Sequence, residues 1–247
     1  MIIPELKGRN IIVTGGANGI GEAMVRAFHA QGARVFFCDV DGPAGQSLVK
    51  ELGERAEFQK LNLTREREVT RWLAGLGRRL GIIHALINNA ARDPRIPLGR
   101  TTAKEWDELF ATNLRAYFLT SREAVKWMRP GAGIINLASI TFHHAPANMT
   151  AYVATKGGVL GFTRSLAREL GPKRIRVNTI SPGWIMTERQ LQQFVTPAVK
   201  RLIRRSQCIP DLLQPDEIAE VALFLASDAS RGMTGQELLV DRGWYHS

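Results

Sequence analysis

The fold class this sequence predicts is α/β: a doubly wound parallel sheet of about seven strands with helices on both faces. Three observations carry the prediction. Short runs rich in Val, Ile, Leu and Phe recur along the chain, each bounded by Gly, Pro, Asn or Asp. Longer stretches with the 3.6-residue periodicity of amphipathic helices lie between them. Alternation of this kind builds parallel sheets whose two faces are covered by helices. No linker-like or repetitive stretch interrupts the pattern, so the 247 residues are read as one domain spanning 1–247.

The strands are read at Asn10–Thr14, Arg34–Cys38, Glu57–Leu61, Ile83–Asn88, Gly133–Ala138, Arg176–Ile180 and Glu237–Val240. Glu22–Gln31 and Pro215–Ser227 are the clearest of the intervening helices. A sheet of this type binds ligands beyond the C-terminal ends of its strands, where the strand order reverses. The residues that follow each apolar run are therefore the candidates for function.

Composition narrows the classes. The chain is 45% hydrophobic and 23% charged, ordinary for a globular protein. Met1–Arg9 is broken by Pro4, Glu5 and Lys7 and lacks the apolar core of a signal peptide. No apolar stretch approaches the ~18 residues of a membrane span. Cys38 and Cys208 are the only cysteines, too few for a disulfide framework, and a cytoplasmic location is expected. The net charge of +10 raises the question of nucleic acid. The basic residues are dispersed, though, as with Arg65, Arg67 and Arg71, then Lys173, Arg174 and Arg176, then Arg204 and Arg205. Aromatic residues do not interleave with them as a base-stacking surface requires, so neither nucleic acid nor membrane is expected as a partner. No metal site is expected.

The first strand runs into Thr14-Gly15-Gly16-Ala17-Asn18-Gly19-Ile20-Gly21, which opens a helix. Glycines there permit a tight turn and bring backbone N–H groups to a pyrophosphate at the helix N-terminus. The second strand ends at Asp39, near the ~20-residue offset of a ribose-binding acid. A carboxylate there accepts bonds from the ribose hydroxyls and repels a 2′-phosphate, which favours NAD over NADP. Asp41 and Gly42 follow, so a plain turn is the competing reading.

The spacing Thr-Gly-x-x-x-Gly-x-Gly resembles the short-chain dehydrogenase/reductase family. Asn88-Asn89-Ala90 after the fourth strand, Asn113 in the following helix, Ser139 after the fifth strand, Tyr152-x-x-x-Lys156, and Pro182-Gly183 after the sixth extend the likeness over nearly the whole chain. The resemblance implies a Rossmann-like fold, an NAD site, and hydride transfer at an alcohol carbon. The cofactor residues it implies are Gly15, Asn18, Gly19, Ile20, Gly21, Asp39, Asn62, Leu63, Asn89, Ala90, Tyr152, Lys156, Pro182, Gly183, Ile185 and Thr187. Its catalytic set is Asn113, Ser139, Tyr152 and Lys156.

Tyr152 and Lys156 are four apart and share a helix face. A free phenol titrates near ~10, and bringing it to ~7 takes roughly 4 kcal/mol of differential stabilisation, which a close ammonium and a positive nicotinamide ring can supply. Ser139 is expected to hold the substrate oxygen. Asn113 falls on an apolar stripe with Trp106, Phe110 and Tyr117, where a polar group must find partners. By resemblance it holds a water that links Lys156 to solvent, with a structural hydrogen bond as the alternative. Ala151, Ala154, Gly157, Gly158 and Gly161 form a small face on the same helix. Each internal glycine costs ~1 kcal/mol, so close approach of a partner helix, and a homotetramer as is usual in the family, is expected.

Three positions depart from the family pattern. Asn62 stands where Asp is commoner, Ala91 replaces the last Gly of Asn-Asn-Ala-Gly, and Asp241-Arg242-Gly243-Trp244 replaces Asp-Gly-Gly, which puts a bulky group at the C-terminal edge. The substrate loops read Arg92-Asp93-Pro94-Arg95, then His143, His144 and Asn148, then Trp184, Glu188, Arg189 and Gln190. This polar rim with one aromatic plate suits a polyhydroxylated substrate, and the substrate set is read as Asp93, Arg95, Ser139, His144, Asn148, Tyr152, Trp184 and Gln190. The loop segments and the Gly-Trp ending resemble the family's aldose 1-dehydrogenases, which implies oxidation of the anomeric carbon of a pentose, hexose or deoxyhexose to a lactone. A 3-oxoacyl or other carbonyl reductase of the family, and a non-catalytic nucleotide-sensing regulator on the same fold, stay open as alternatives.

Overall fold

The computed structural model describes residues 2–245. In chain order the main elements are β1 (Asn10–Thr14), α1 (Gly19–Ala30), β2 (Arg34–Asp39), α2 (Gly42–Leu52), β3 (Ala56–Lys60), α3 (Glu66–Leu80), β4 (Ile83–Asn88), α4 (Ala103–Phe110) and α5 (Ala116–Ala124). They continue with β5 (Met128–Leu137), α6 (Thr141–His144), α7 (Thr150–Leu170), β6 (Arg176–Pro182), α8 (Glu188–Gln193), α9 (Pro197–Ser206), α10 (Pro215–Ala226) and β7 (Glu237–Val240). The seven strands form one parallel sheet in the order β3-β2-β1-β4-β5-β6-β7. The chain first works outward from β1 through β2 to β3, then returns to β1's other side with β4, so the order reverses between β1 and β4. That is where a doubly wound sheet opens a ligand crevice.

Strand alternation sorts the core into two layers. Ile11, Val13, Val35, Phe37, Ile87 and Ile135 face the side covered by α1, α2 and α10. Ile12, Phe36, Leu86, Ile134 and Val177 face the side covered by α3, α5 and α7. Each fully buried Leu, Ile, Val or Phe contributes roughly 1.5–3 kcal/mol, which is what holds the crevice walls rigid. No helix among the described residues is long and apolar enough to cross a membrane.

Several boundaries differ from expectation. β2 reaches Asp39 and β6 reaches Pro182, so both strands deliver their functional residues while still in the sheet. β3 starts one residue earlier than the sequence predicts, and Pro215–Ser227 loses Ser227, which caps the helix from outside. The fifth strand begins at Met128, not Gly133. The step from Ile83 to Ala85 on β4 faces the step from Met128 to Gly133 on β5, and this bulge carries Pro130 and Gly131, residues that read as a turn. Between α4 and α5 the helix runs through a π turn at Ala111–Arg115. The extra residue per turn rotates the axis, so the apolar stripe splits: Trp106 and Phe110 stack on each other at 4.8 Å and stay partly open, whereas Asn113 and Tyr117 are fully buried.

A polar seam crosses the middle of the sheet. The Thr120 hydroxyl lies 2.6 Å from Asn88 Oδ1. Asn88 Nδ2 donates to Asn136 Oδ1 at 2.9 Å and to Ser121 Oγ at 3.1 Å. Asn136 Nδ2 donates to Thr163 Oγ1, which also accepts from Thr179. All of these side chains are buried, and the seam ties β4, β5 and β6 to α5 and α7 just below the crevice. Replacing Asn136 with Ala strips a partner from Asn88 and from Thr163 inside the core. We expect a loss on the order of 3 kcal/mol, read as a lowered midpoint in urea with little change in slope.

Candidate functional site

β1 turns into α1 through the glycine loop, and the turn needs its glycines. Gly15 has φ +65°, and a Cβ there would stand 2.8 Å from Ala90 Cα, so the β4 end could not come alongside. Thr14 ties the two ends together: its hydroxyl accepts from the backbone N–H of Asn89 and Ala90. Asn89 Nδ2 donates to the carbonyls of Thr14 and Gly15. Asn89 therefore serves the cofactor end by holding the loop. Asn18 begins α1 without a side-chain cap, its amide going to Asp41 instead, so the first N–H groups of the helix are left for a ligand. Asp39 accepts from Ala17 N and Asp41 N, each at 3.1 Å, which leaves a lone pair on each oxygen. Asn62 Oδ1 is taken by Thr64, and among the described residues its amide N–H groups have no hydrogen-bond partner.

These groups line one cleft of about 2640 Å³ together with Ile20, Gly21, Leu63, Pro182, Gly183, Ile185 and Thr187. A pocket for one small ligand holds roughly 300–1,000 Å³, so this cleft accommodates a dinucleotide and a second molecule. The uncapped helix start for a diphosphate, the Asp39 carboxylate for ribose hydroxyls and the Asn62 amide for a base fit such a group in order along the cleft.

Ser139, Tyr152 and Lys156, which line the same cleft, form the candidate reaction centre. Lys156 is 2% exposed and its ammonium donates to Leu137 O at 2.7 Å. It lies 5.6 Å from the centre of the Tyr152 ring, as one turn of α7 dictates for positions four apart, and 5.8 Å from that of Tyr117 on α5. Burial lowers the Lys156 ammonium to about 7, against an opposing pull from Asp93. Burial likewise raises the Tyr152 phenol, helped by Asp93, while a hydrogen bond with Ser139 and the charge of Arg189 act the other way. The protein alone thus holds Tyr152 as a phenol, and a further positive charge is needed to draw its proton off. Ser139 follows β5 and its Oγ also accepts from Thr141 N.

Asn113 sits behind this centre, its side chain spent on protein. Nδ2 donates to Arg92 O and Thr155 Oγ1, and Oδ1 accepts from Arg92 N. It fixes the loop that carries Asp93, and a water bound by this side-chain oxygen must use its one remaining lone pair, the backbone carbonyl being a separate acceptor. The small face of α7 is also partly filled from within. Phe142 occupies the space a Cβ on Gly157 would need, and Leu114 that of Gly158, so these two glycines answer to packing inside the chain. Gly161 alone of the three has open space beside it.

The substrate rim differs most from expectation. Asp93, Arg95, His144, Trp184 and Gln190 line the cleft, but Asn148 does not: it occupies a left-handed turn at φ +64° and borders a separate small cavity. Asp93 pairs with Arg189 and accepts from Gln190 Nε2 at 2.9 Å, and Trp184 Nε1 donates to Gln190 Oε1 at 3.1 Å. Arg95 is sandwiched between the rings of Phe194 and Trp184, 3.9 and 4.8 Å from their centres. Four residues read as sugar contacts thus bind one another and latch the β4–α4 loop to the β6–α8 loop. Sequence reasoning missed Arg189 and Phe194 as the partners, since each lies about a hundred residues from its mate. Trp244, read from the sequence as a bulky group and part of the Gly-Trp ending but not placed in the substrate set, lines the cleft as well. Among the described residues no three His, Cys, Asp or Glu side chains group as metal ligands.

A family model described as enoyl-(acyl carrier protein) reductase matches residues 15–245. A probable galactose dehydrogenase of Rhizobium meliloti is 39% identical over 97% of this chain and 96% of its own length. A D-xylose 1-dehydrogenase of Caulobacter vibrioides is 35% identical over 98% of both chains, and a 3-oxoacyl-[acyl-carrier-protein] reductase of Chlamydia trachomatis is 34% identical over 96% of this chain and 98% of its own. A crystal structure from Brucella melitensis titled as a short-chain dehydrogenase/reductase, glucose/ribitol dehydrogenase, superposes with a TM-score of 0.95 at 28% identity and covers both chains completely.

The buried ammonium has a consequence for stability. Lys156 titrates lower in the folded chain than in the unfolded one, so the unfolded state binds the extra proton between about pH 7 and the ordinary lysine value. The cost of burying it is greatest at and below pH 7 and fades as pH rises, by about 1.4 kcal/mol per unit. Lys156→Met should therefore stabilise the protein more at pH 6.5 than at pH 9.5, while destroying turnover. Urea unfolding of both proteins at the two pH values checks this; a difference independent of pH would refute it.

Proposed function

The chain belongs to the short-chain dehydrogenase/reductase family, and on that footing we propose that it oxidises the anomeric carbon of a free aldose to a lactone with NAD. One observation carries the reading: Ser139, Tyr152 and the buried Lys156, its ammonium fixed by Leu137 O, line the same cleft as the glycine loop and Asp39, and that cleft has room for a dinucleotide. The full-length likeness to galactose and xylose dehydrogenases supports a sugar as the substrate.

The nicotinamide, when bound, supplies the hydride acceptor and a positive charge. The glycine loop, Asp39, Asn62, Leu63 and the Pro182–Thr187 segment would hold the cofactor. The remaining chemistry falls to the chain. Ser139 holds the C1 hydroxyl oxygen, and Tyr152 takes the hydroxyl proton. Removing that proton turns the C1–O bond into a carbonyl as C1 gives up its hydrogen with both bonding electrons. The Lys156 ammonium, fixed by Leu137 O, stabilises the phenolate that must form first, and Asn113 fixes the loop that carries Asp93. A homotetramer in the cytoplasm, without nucleic-acid or membrane partners, belongs to the same proposal; the uncovered Gly161 is the part of the small face left for a partner helix.

The substrate reading is tested with a panel of aldoses and NAD followed at 340 nm. D-Galactose or D-xylose should reduce NAD, and the methyl glycoside of the same sugar should not, because its C1 carries no hydroxyl to deprotonate. Equal rates with the glycoside, or reduction of NAD by a hydrophobic secondary alcohol alone, would overturn the sugar reading in favour of a carbonyl-reductase type of substrate.

Asp39 sets the cofactor. A 2′-phosphate beside its carboxylate meets a repulsion of roughly 4 kcal/mol at ~4 Å and an effective dielectric of ~20. We expect kcat/KM with NAD to exceed that with NADP by at least about tenfold, and Asp39→Ala to narrow the ratio by a similar factor. Equal use of both cofactors by the unaltered protein would remove Asp39 from this role.

A further inference from the structure

We propose that Trp244, stacked on His144, is the aromatic wall against which the sugar ring packs, so that the C-terminal tail sets substrate affinity. The inference rests on the aldose reading above and adds a residue to it.

Among the described residues the tail is anchored by the groups on either side of Trp244. The Asp241 carboxylate, 4% exposed, accepts from Gly243 N at 2.9 Å and from Tyr245 N at 2.8 Å, gripping the backbone on both sides of Trp244. Arg242 pairs with Glu217 at 2.6 Å on α10. Gly243 has φ +74°, and a Cβ there would stand 2.8 Å from Cys208 Sγ, so the tail lies directly on Cys208. Tyr245 stacks on His143 at 4.5 Å, and His143 is pinned by Glu237 at 2.8 Å. With the backbone fixed in this way, the Trp244 ring is not part of either buried core, and it lines the same cleft as Ser139 and Tyr152.

Among the described residues its ring contact is His144, 5.7 Å between centres and 15° from parallel. Both rings line the cleft. Burial lowers the His144 imidazole from its ordinary value, which favours the uncharged ring. The other rim residues are committed elsewhere: Asp93 to Arg189 and Gln190, Arg95 to two rings. The Trp244–His144 pair is thus an aromatic surface of the cleft that these pairings leave uncommitted. A flat apolar face with polar atoms at its edge matches a sugar ring, which presents C–H groups on its face and hydroxyls around its rim.

Trp244→Ala, Trp244→Phe and His144→Ala are compared with the unaltered protein using D-galactose or D-xylose and NAD, alongside NADH titration by fluorescence and melting temperature. Trp244→Ala should raise the sugar KM at least about tenfold with kcat changed less than about threefold, and Trp244→Phe should recover most of the loss. NADH affinity should not move, which separates a wall from a tail that merely shapes the fold. If Trp244→Ala melts below the assay temperature, His144→Ala, which leaves the tail anchors in place, must raise the KM instead. An unchanged sugar KM in the folded variants, or a KM that rises in step with lost NADH binding, overturns the wall while the aldose reading stands. If the unaltered protein oxidises no aldose, the reading and the wall fall together.

Discussion

The site depends on one backbone carbonyl, that of Leu137. Ala138 N donates to Ile180 O of β6, so by strand alternation the Leu137 carbonyl faces the β4 side. The register of β4 against β5 ends at Asn88 and Asn136, and beyond it the β4 chain has turned away. The carbonyl is then left without a strand partner in a buried place, where an unpaired acceptor costs about 1–3 kcal/mol. Lys156 Nζ fills it at 2.7 Å, and the Tyr117 hydroxyl approaches it at 3.3 Å. A strand that outruns its neighbour by one residue thus creates the acceptor that makes a buried ammonium tolerable. Tyr152, one helical turn before Lys156, and Ser139, two residues after Leu137, are placed by the same arrangement.

The opposite wall obeys a related rule. At the reversal between β1 and β4 two adjacent strands lead their connections to different sides, and their ends lose ladder partners. Thr14 and Asn89 supply the missing bonds with side chains, which locks the glycine loop to the β4 end. The crevice stays open because these polar groups satisfy the two strand ends without a further strand between them. Asp39 extends the lock outward by bridging Ala17 and Asp41, so its carboxylate also shapes the loop.

What could be read from the sequence follows from distance along the chain. The glycine loop, the Tyr152–Lys156 pair and Asp39 are local patterns whose geometry is set within a turn or a strand end, and the structure brings them to one cleft. The π turn at Ala111–Arg115 was hidden because Trp106, Phe110, Asn113 and Tyr117 satisfy an ordinary helical period. Asn113 itself was legible as a buried polar residue, but its partner, the backbone of Arg92, carries no side-chain signature. Gly157 and Gly158 read as open to a partner because nothing near them in the sequence points to Phe142 or Leu114. The same blindness affected the rim, where Asp93 and Arg189 are each ordinary charges until the fold joins them.

That last point changes how the rim bears on specificity. Polar loop residues that bond to one another do not advertise a polar substrate; they make a rigid frame. An unpaired Asp93 or Gln190 facing an acyl chain would be a strong argument against that chain, but here both are satisfied before any substrate arrives. The case for an aldose therefore shifts from the number of polar groups to the shape they frame and the likeness to sugar dehydrogenases over the whole chain. A frame latched by an ion pair and a guanidinium held between two rings has little freedom to adapt. Its selectivity must come from which ring faces and hydroxyl positions fit without disturbing the latch, and the surfaces free to make that distinction are Ser139, Tyr152 and the rings at the C-terminal edge.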